Sequence, residues 1–269
     1  IGRDGRNIHS FEAATGTTLL IDETPETVLV SSFDPVRREI AKQALNELIS
    51  DGRIHPSSIE LAVNKAKDTL TDNVIKIGKD AANQLNLKGF DNEVYSLLGK
   101  LHFYLSNNQR TLEHSIEVAF LCSIIASELG LDPHIAKRSG LFHDIGKAIA
   151  YDYEGSHACA GAQFIKAHGE VPEVVNAVEA SHEEVEMTSP YAAIVKIADH
   201  LSSTRPGARN ETMEGYIERI NNLEKLAHSF EGIVDAYAIR GGREIRIIVS
   251  PDKLSDLQAK KLARRIRQR

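Results

Sequence analysis

Along most of this chain the apolar residues return every three or four positions, and only in two short places do they alternate. Helical spacing runs through Ile8, Phe11 and Thr15 and stops at Gly16, then returns at Ile40, Ala44, Leu45 and Leu48 up to Gly52. Asp34 is placed to cap that second helix, with Pro35 at the first helical position, where no amide donor is needed. Ile59, Val63 and Ala66, then Val74, Ile77 and Ala81, continue on helical faces, and after a turn over residues 86–91 the spacing resumes at Val94, Leu97, Leu98 and Leu101. A strongly apolar helix begins at Thr111, Asp132-Pro133 starts another, and residues 194–199 lie in a third. Alternation over residues 19–21 and 28–31 predicts two short strands around a turn at 22–26. Residues 234–239 and 244–249 alternate as a hairpin around Gly241-Gly242, and a helix follows from Pro251.

These elements predict an α+β chain, mostly α. A small α/β module occupies residues 1–60, connecting helices 61–110, an all-helical domain 111–228, and a β-hairpin plus helix 229–269. The length of 269 residues fits about two domains at roughly 150 each, and 42% apolar with 26% charged residues is globular composition. The two cysteines, Cys122 and Cys159, each sit in an apolar helical pattern, which excludes a disulfide framework and a cysteine zinc site and suits a reducing compartment. No apolar run approaches the ~20 residues of a membrane helix and no signal-peptide pattern opens the chain, so a soluble piece is expected. Of the net charge of -6, residues 253–269 carry seven basic side chains against Asp256, a local +6, leaving -12 on the rest. That balance argues against a broad nucleic-acid surface, and the basic tail reads first as a solvated helix face.

The candidate chemistry lies in ionisable residues on apolar helices. His143-Asp144, preceded by Leu141-Phe142 and followed by Gly146-Lys147, is expected in a helix interior, turning two ligands into one cavity. Two ligands do not complete a catalytic metal site. His114 and Asp199 lie on the other two apolar helices, and since a buried aspartate without a partner is costly, the three helices most simply share a cation. His157 and His182 are either ligands of a second ion or exposed histidines; Lys147 either steadies a phosphate oxygen or makes a structural salt bridge. His102, His134, His168 and His228 read as structural or surface residues.

The series His, His-Asp, Asp resembles the HD phosphohydrolase superfamily. The resemblance implies His114, His143, Asp144 and Asp199 as ligands, with His157 and His182 at a second ion. Mixed imidazole and carboxylate donors leave Mn, Mg, Zn, Fe and Ni all open, one or two ions per site. Gly2-Arg3-Asp4-Gly5 followed by helix, two strands and helix resembles the KH RNA-binding module, which implies backbone contact through Gly2, Arg3, Gly5 and Arg6 and a cradle for about four unpaired nucleotides. The strand and helix that lead into such a module are missing, so the chain is expected to be truncated at its start.

Several runs carry a closer resemblance: Glu154-Gly155-Ser156-His157, Ala198-Asp199 through Arg205-Pro206-Gly207-Ala208-Arg209, Ser229-Phe230-Glu231-Gly232, and Tyr237-Ala238-Ile239-Arg240-Gly241-Gly242-Arg243-Glu244. They are similar to the ribonuclease Y family across nearly the whole chain. This implies a metal-dependent endoribonuclease that cleaves single-stranded RNA and initiates bacterial mRNA decay, a metal-activated water attacking the phosphodiester, with His143, Asp144 and Lys147 catalytic. Arg205 and Arg209 are then phosphate contacts or a helix-end cap. It also implies a homodimer, partners in an RNA-degradation complex, and a place on the cytoplasmic side of the bacterial membrane through an N-terminal segment not in this chain. Glu183, following His182, replaces one of a pair of histidines and offers an oxygen ligand instead. Two other readings compete: an HD phosphodiesterase or nucleotidase acting on small nucleotides, and a catalytically idle RNA-binding scaffold.

Overall fold

A computed structural model describes residues 2–21, 27–106, 109–149, 155–204, 213–239, 244–250 and 253–267. Among these the chain is α+β and mostly helical, with eleven α-helices and three antiparallel strand pairs. It divides into two compact units, Ile1–Arg209 and Asn210–Arg269.

The first unit opens on a tight turn, Arg3–Gly5, leading into α1 (Arg6–Thr15). Gly2 and Gly5 hold φ of 78° and 74°, the left-handed region that a Cβ disfavours. β1 (Thr18–Leu20) pairs with β2 (Leu29–Ser31), Leu19 facing Val30. α2 (Pro35–Asp51) starts as its sequence predicts: the Asp34 carboxylate accepts from the amides of Val36 at 2.8 Å and Arg37 at 3.3 Å, and Gly52 closes the helix in the left-handed conformation.

α3 (Pro56–Gln84) is 29 residues, about 44 Å at ~1.5 Å per residue, and it serves two cores. Its first half packs Ile59, Ala62, Val63 and Ala66 on Phe11, Ala41, Ala44 and Leu48. Its second half joins α4 (Asn92–Lys100) through Ala81 and Ala82 against Val94, Leu97 and Leu98.

A two-residue pair, β3 (Leu105–Ser106) with β4 (Gln109–Arg110), precedes the helices that carry the ionisable residues. These are α5 (Thr111–Glu128), α6 (Pro133–Phe142), α7 (His157–Ala167), α8 (Pro172–Glu179) and α9 (Pro190–Thr204). α5 is apolar on two sides because it stands between two cores. Leu112 and Ala119 pack with Leu141, Phe142, Ile145 and Ile165, while Val118, Cys122 and Ala126 pack with Ala136, Ile194, Val195 and Ala198. A helix held on both sides can carry a polar residue deep without exposing its ends.

In the second unit α10 (Met213–His228) is followed by the hairpin of β5 (Ile233–Ile239) and β6 (Glu244–Val249) and by α11 (Asp256–Arg267). Ala227, Ala236, Leu262 and Ile266 are its buried apolar residues. The strands match the predicted alternation to within one residue.

Candidate metal centre

His114 lies in the first turn of α5, His143 and Asp144 just beyond α6, and Asp199 in α9. The doublet was expected inside a helix; the structure instead ends the α-helix at Phe142 and continues as a 3-10 turn over Ile145–Ala148. The Lys147 amide donates to the Asp144 carbonyl at 3.0 Å, closing the 3-10 turn that directly follows the doublet.

Gly146 makes the turn possible. A Cβ there would overlap the carbonyl oxygen of His157 and come within 2.7 Å of the Gly161 amide nitrogen, so only glycine lets the turn lie against the start of α7. Ser156 caps that helix, its hydroxyl accepting from the Cys159 amide at 3.3 Å, and His157 is its first residue. The result sets His157 Nε2 at 3.5 Å from Asp144 Oδ1.

Donor atoms of His114, His143 and Asp144 all lie within 4.8 Å of one another, close to the span of about 4.2 Å across an ion with bonds of about 2.1 Å. Asp199 Oδ1 is 3.0 Å from His114 Nε2. Asp144, His157 and His182 form a second such group, so Asp144 belongs to both. His182 follows α8, and its Nε2 is 2.8 Å from that of His157.

The hydrogen bonds aim these atoms. His143 Nδ1 donates to the Gly140 carbonyl at 2.8 Å, which leaves Nε2 as an acceptor; that atom is buried and has no hydrogen bond, Asp144 Oδ2 lying 3.5 Å away, and Asp144 Oδ1 is likewise buried without a hydrogen bond, His157 Nε2 lying 3.5 Å away. The Ser202 hydroxyl donates to Glu117 Oε2 at 2.9 Å and accepts from His114 Nδ1 at 2.9 Å. His114 Nε2 is thereby turned to the Asp199 carboxylate, 3.0 Å away. The buried acceptors of the doublet, which lack a hydrogen-bond donor, are what a divalent ion would satisfy, and the His/Asp donor set fits one.

Charge follows the same arrangement. Burial pushes the His143 imidazole below its usual value, outweighing Asp144. Burial by itself would raise the Asp144 carboxyl; its neighbours His143, His157 and Lys147 outweigh that and hold it well below the usual carboxylate range. With His143 kept neutral, Lys147 is the standing positive charge, its Nζ donating to Asp144 Oδ2 at 2.7 Å and reaching Ser106 Oγ at 3.4 Å. Asp199 is likewise held low: burial opposes this, and the hydrogen bond with His114 overcomes it. Burial, then the neighbouring His157, lowers His182.

Glu183 turns away from this cluster and pairs with Lys196. Its φ of 63° is unusual for a non-glycine residue. A cavity of 770 Å³ has His182 and Asp199 in its wall, with Lys196, Met187 and Ile197 beside them. His102 and His168 make surface contacts to Glu113 and Glu93. Arg205 and Arg209 lie outside the described residues. Sequence reasoning passed over Ser202, although a signal exists: His114 and Glu117, and Asp199 and Ser202, are each spaced i, i+3, which puts each pair on one helix face.

Residues 111–204 match the HD domain. The chain is 56% identical over 269 residues to "Ribonuclease Y" of Opitutus terrae, covering 100% of this chain and 51% of that protein. It is 52% identical over 263 residues to "Ribonuclease Y" of Petrotoga mobilis, covering 98% and 51%, and 47% identical over 269 residues to that of Geobacillus thermodenitrificans, covering 100% and 52%. The chain thus spans about half the length of these curated relatives. No solved structure matches it.

Proposed function

From a chain similar to ribonuclease Y along its whole length, with an HD domain at residues 111–204, we propose a metal-dependent endoribonuclease that hydrolyses single-stranded RNA. The observation that carries this reading is the pair of buried acceptors without a hydrogen bond, His143 Nε2 and Asp144 Oδ1, grouped with His114, against which Asp199 lies. His114, His143, Asp144 and Asp199 would hold one ion; Asp144, His157 and His182 would hold a second, with Asp144 between them. Bound there, a divalent ion supplies an activated water and neutralises charge on the phosphoryl oxygens. The protein's own part is positional. Lys147 keeps Asp144 anionic, Gly140 and Ser202 set the ring tautomers of His143 and His114, and the cavity beside His182 and Asp199 leaves room for a phosphodiester.

RNA as the substrate is supported by the relatives' names and by the opening turn. Gly2 and Gly5, both left-handed, set a bare turn before α1, with Arg6 exposed at its start. Backbone amides at such a turn can approach a phosphate closely, as in the KH-like reading. A homodimer and a role in mRNA turnover belong to the same proposal and rest on the family resemblance.

The test uses Asp144→Asn and His143→Ala, separately, with an unstructured oligoribonucleotide and Mn²⁺. Each is expected to lower cleavage by more than about a hundredfold, since even residues that only support a ligand are worth 10- to 100-fold. Metal-dependent cleavage at the parent rate by both variants sinks the site. Cleavage of small phosphodiesters with none of RNA favours a nucleotide phosphodiesterase.

A further inference from the structure

The sequence of the first 60 residues holds more acidic than basic side chains, and the opening turn supplies few cations for an RNA strand. The structure gathers cations and aromatic rings elsewhere. A groove of 420 Å³ is lined by Phe33, Arg37, Lys100 and Tyr104, with Ala148 and Ile149 also in its wall. Phe33 joins β2 to α2 and is 92% exposed, although a phenylalanine is among the residues most often buried. Tyr104 follows α4 by four positions, so the two rings come from distant parts of the chain. On the other side of the start of α2, a second cavity of 360 Å³ holds Arg38, Lys42 and Phe103. The carboxylate in the first groove, Asp34, is committed to the amides that begin α2 and to Arg37 at 3.4 Å, and that in the second, Glu39, to Lys42 at 3.3 Å.

Aromatic faces interleaved with Arg and Lys are how proteins hold single-stranded nucleic acid: any base stacks on a ring, and the cations follow the backbone. Two of its lining residues, Ala148 and Ile149, close the 3-10 turn that follows Asp144 and carries Lys147.

We propose that this groove is a single-stranded RNA site, distinct from the opening glycine turn, that stacks bases on Phe33 and Tyr104, holds phosphates on Arg37 and Lys100, and leads the strand toward Asp144. The choice of RNA over other single strands rests on the proposed function above; the groove's chemistry does not.

The experiment measures binding of a fluorescein-labelled, unstructured oligoribonucleotide to the whole chain by anisotropy, with EDTA present so that nothing is cleaved. Phe33→Ala, at an exposed site that carries little packing, is expected to weaken binding roughly tenfold, while Phe33→Trp keeps it, since one stacked base is worth about that much. Lys100→Ala and Arg37→Ala are each expected to reduce the slope of log affinity against log salt by about 0.7, one phosphate contact on a single strand. A merely structural residue leaves that slope alone. Parent affinity and parent slope in Phe33→Ala and Lys100→Ala overturn the proposal, and point to a protein surface as the occupant of the ring. Equal weakening by Phe33→Ala and Phe33→Trp overturns the stacking role. Because binding is read without metal, a parent chain that binds through the groove but cleaves nothing when Mn²⁺ is added sinks the hydrolase reading alone.

Discussion

A serine hydroxyl has one proton to give and lone pairs to receive with, and Ser202 uses both kinds. It donates to Glu117 and accepts from His114, and so decides which nitrogen of a ligand histidine faces Asp199. Nothing at position 202 touches the donor cluster directly; its effect passes through the ring. Ser202→Ala is therefore expected to lower Mn²⁺ affinity by roughly 10- to 100-fold, the usual cost of losing such a support. Isothermal titration measures that loss. Nitrogen-15 NMR of the metal-free chain reads the cause, with His114 protonated on Nδ1 in the parent and divided between tautomers in the variant. Unchanged affinity together with an unchanged tautomer rules the role out. At this scale the sequence showed which side chains are able to bind metal, because His and Asp on apolar helices are costly without a partner. It did not show Ser202, whose type is common and whose meaning lies in what it touches.

Among the elements, the short turn after α6 governs the site. The 3-10 turn that follows the doublet lies against the start of α7 and sets His157 beside Asp144. Gly146 is the contact between them, with no room for a Cβ. Gly146→Ala is expected to cost about 1–3 kcal/mol or more, as overpacking does. This is a fall in Tm of roughly 5–10 °C, accompanied by weaker metal binding, because relief of the overlap moves His157 away from Asp144. Calorimetry with and without Mn²⁺ separates the two effects. A variant that is less stable yet binds metal as the parent does shows that the turn serves packing alone. Helix starts at Asp34-Pro35 and Asp132-Pro133, and the ends at Gly16 and Gly52, were legible because caps are local chemistry: a side-chain oxygen meets amides two or three residues on. The break at Phe142 was not legible. No proline or cap marks it, and the turn that follows packs against a helix that starts fifteen residues later.

At the scale of the molecule, α5 carries His114 between two cores, and α9 brings Asp199 and Ser202 to it from more than eighty residues away. An ion at this cluster would tie three helices that apolar packing and the hydrogen bonds of Ser202 and Tyr191 already join. At a hundredfold excess over its Kd such a ligand adds about 2.7 kcal/mol to the state that binds it. Slowly exchanging amides of α5, α6 and α9 are thus expected to gain up to roughly hundredfold protection on addition of Mn²⁺ and to lose it with EDTA. Hydrogen exchange followed by mass spectrometry measures this, with Asp144→Asn as the control that shows no gain. Equal gains in parent and control place the metal elsewhere. None of the helices described is long and apolar enough to cross a membrane. What the sequence by itself determined was the class of the fold, the short strands to within one residue, the helix ends marked by Asp34-Pro35, Asp132-Pro133, Gly16 and Gly52, and the identity of the ionisable residues on apolar faces, since periodicity, capping and the cost of burying charge all act over a few residues. What only the tertiary structure decided was that His114, His143 and Asp144 bring their donor atoms together with Asp199 against His114, that Asp144 also lies with His157 and His182, that Ser202 contacts the His114 ring, and that Phe33, Arg37, Lys100 and Tyr104 line one groove. Each of these depends on the packing of segments far apart in the chain, and packing distance is not written in the spacing of neighbouring residues.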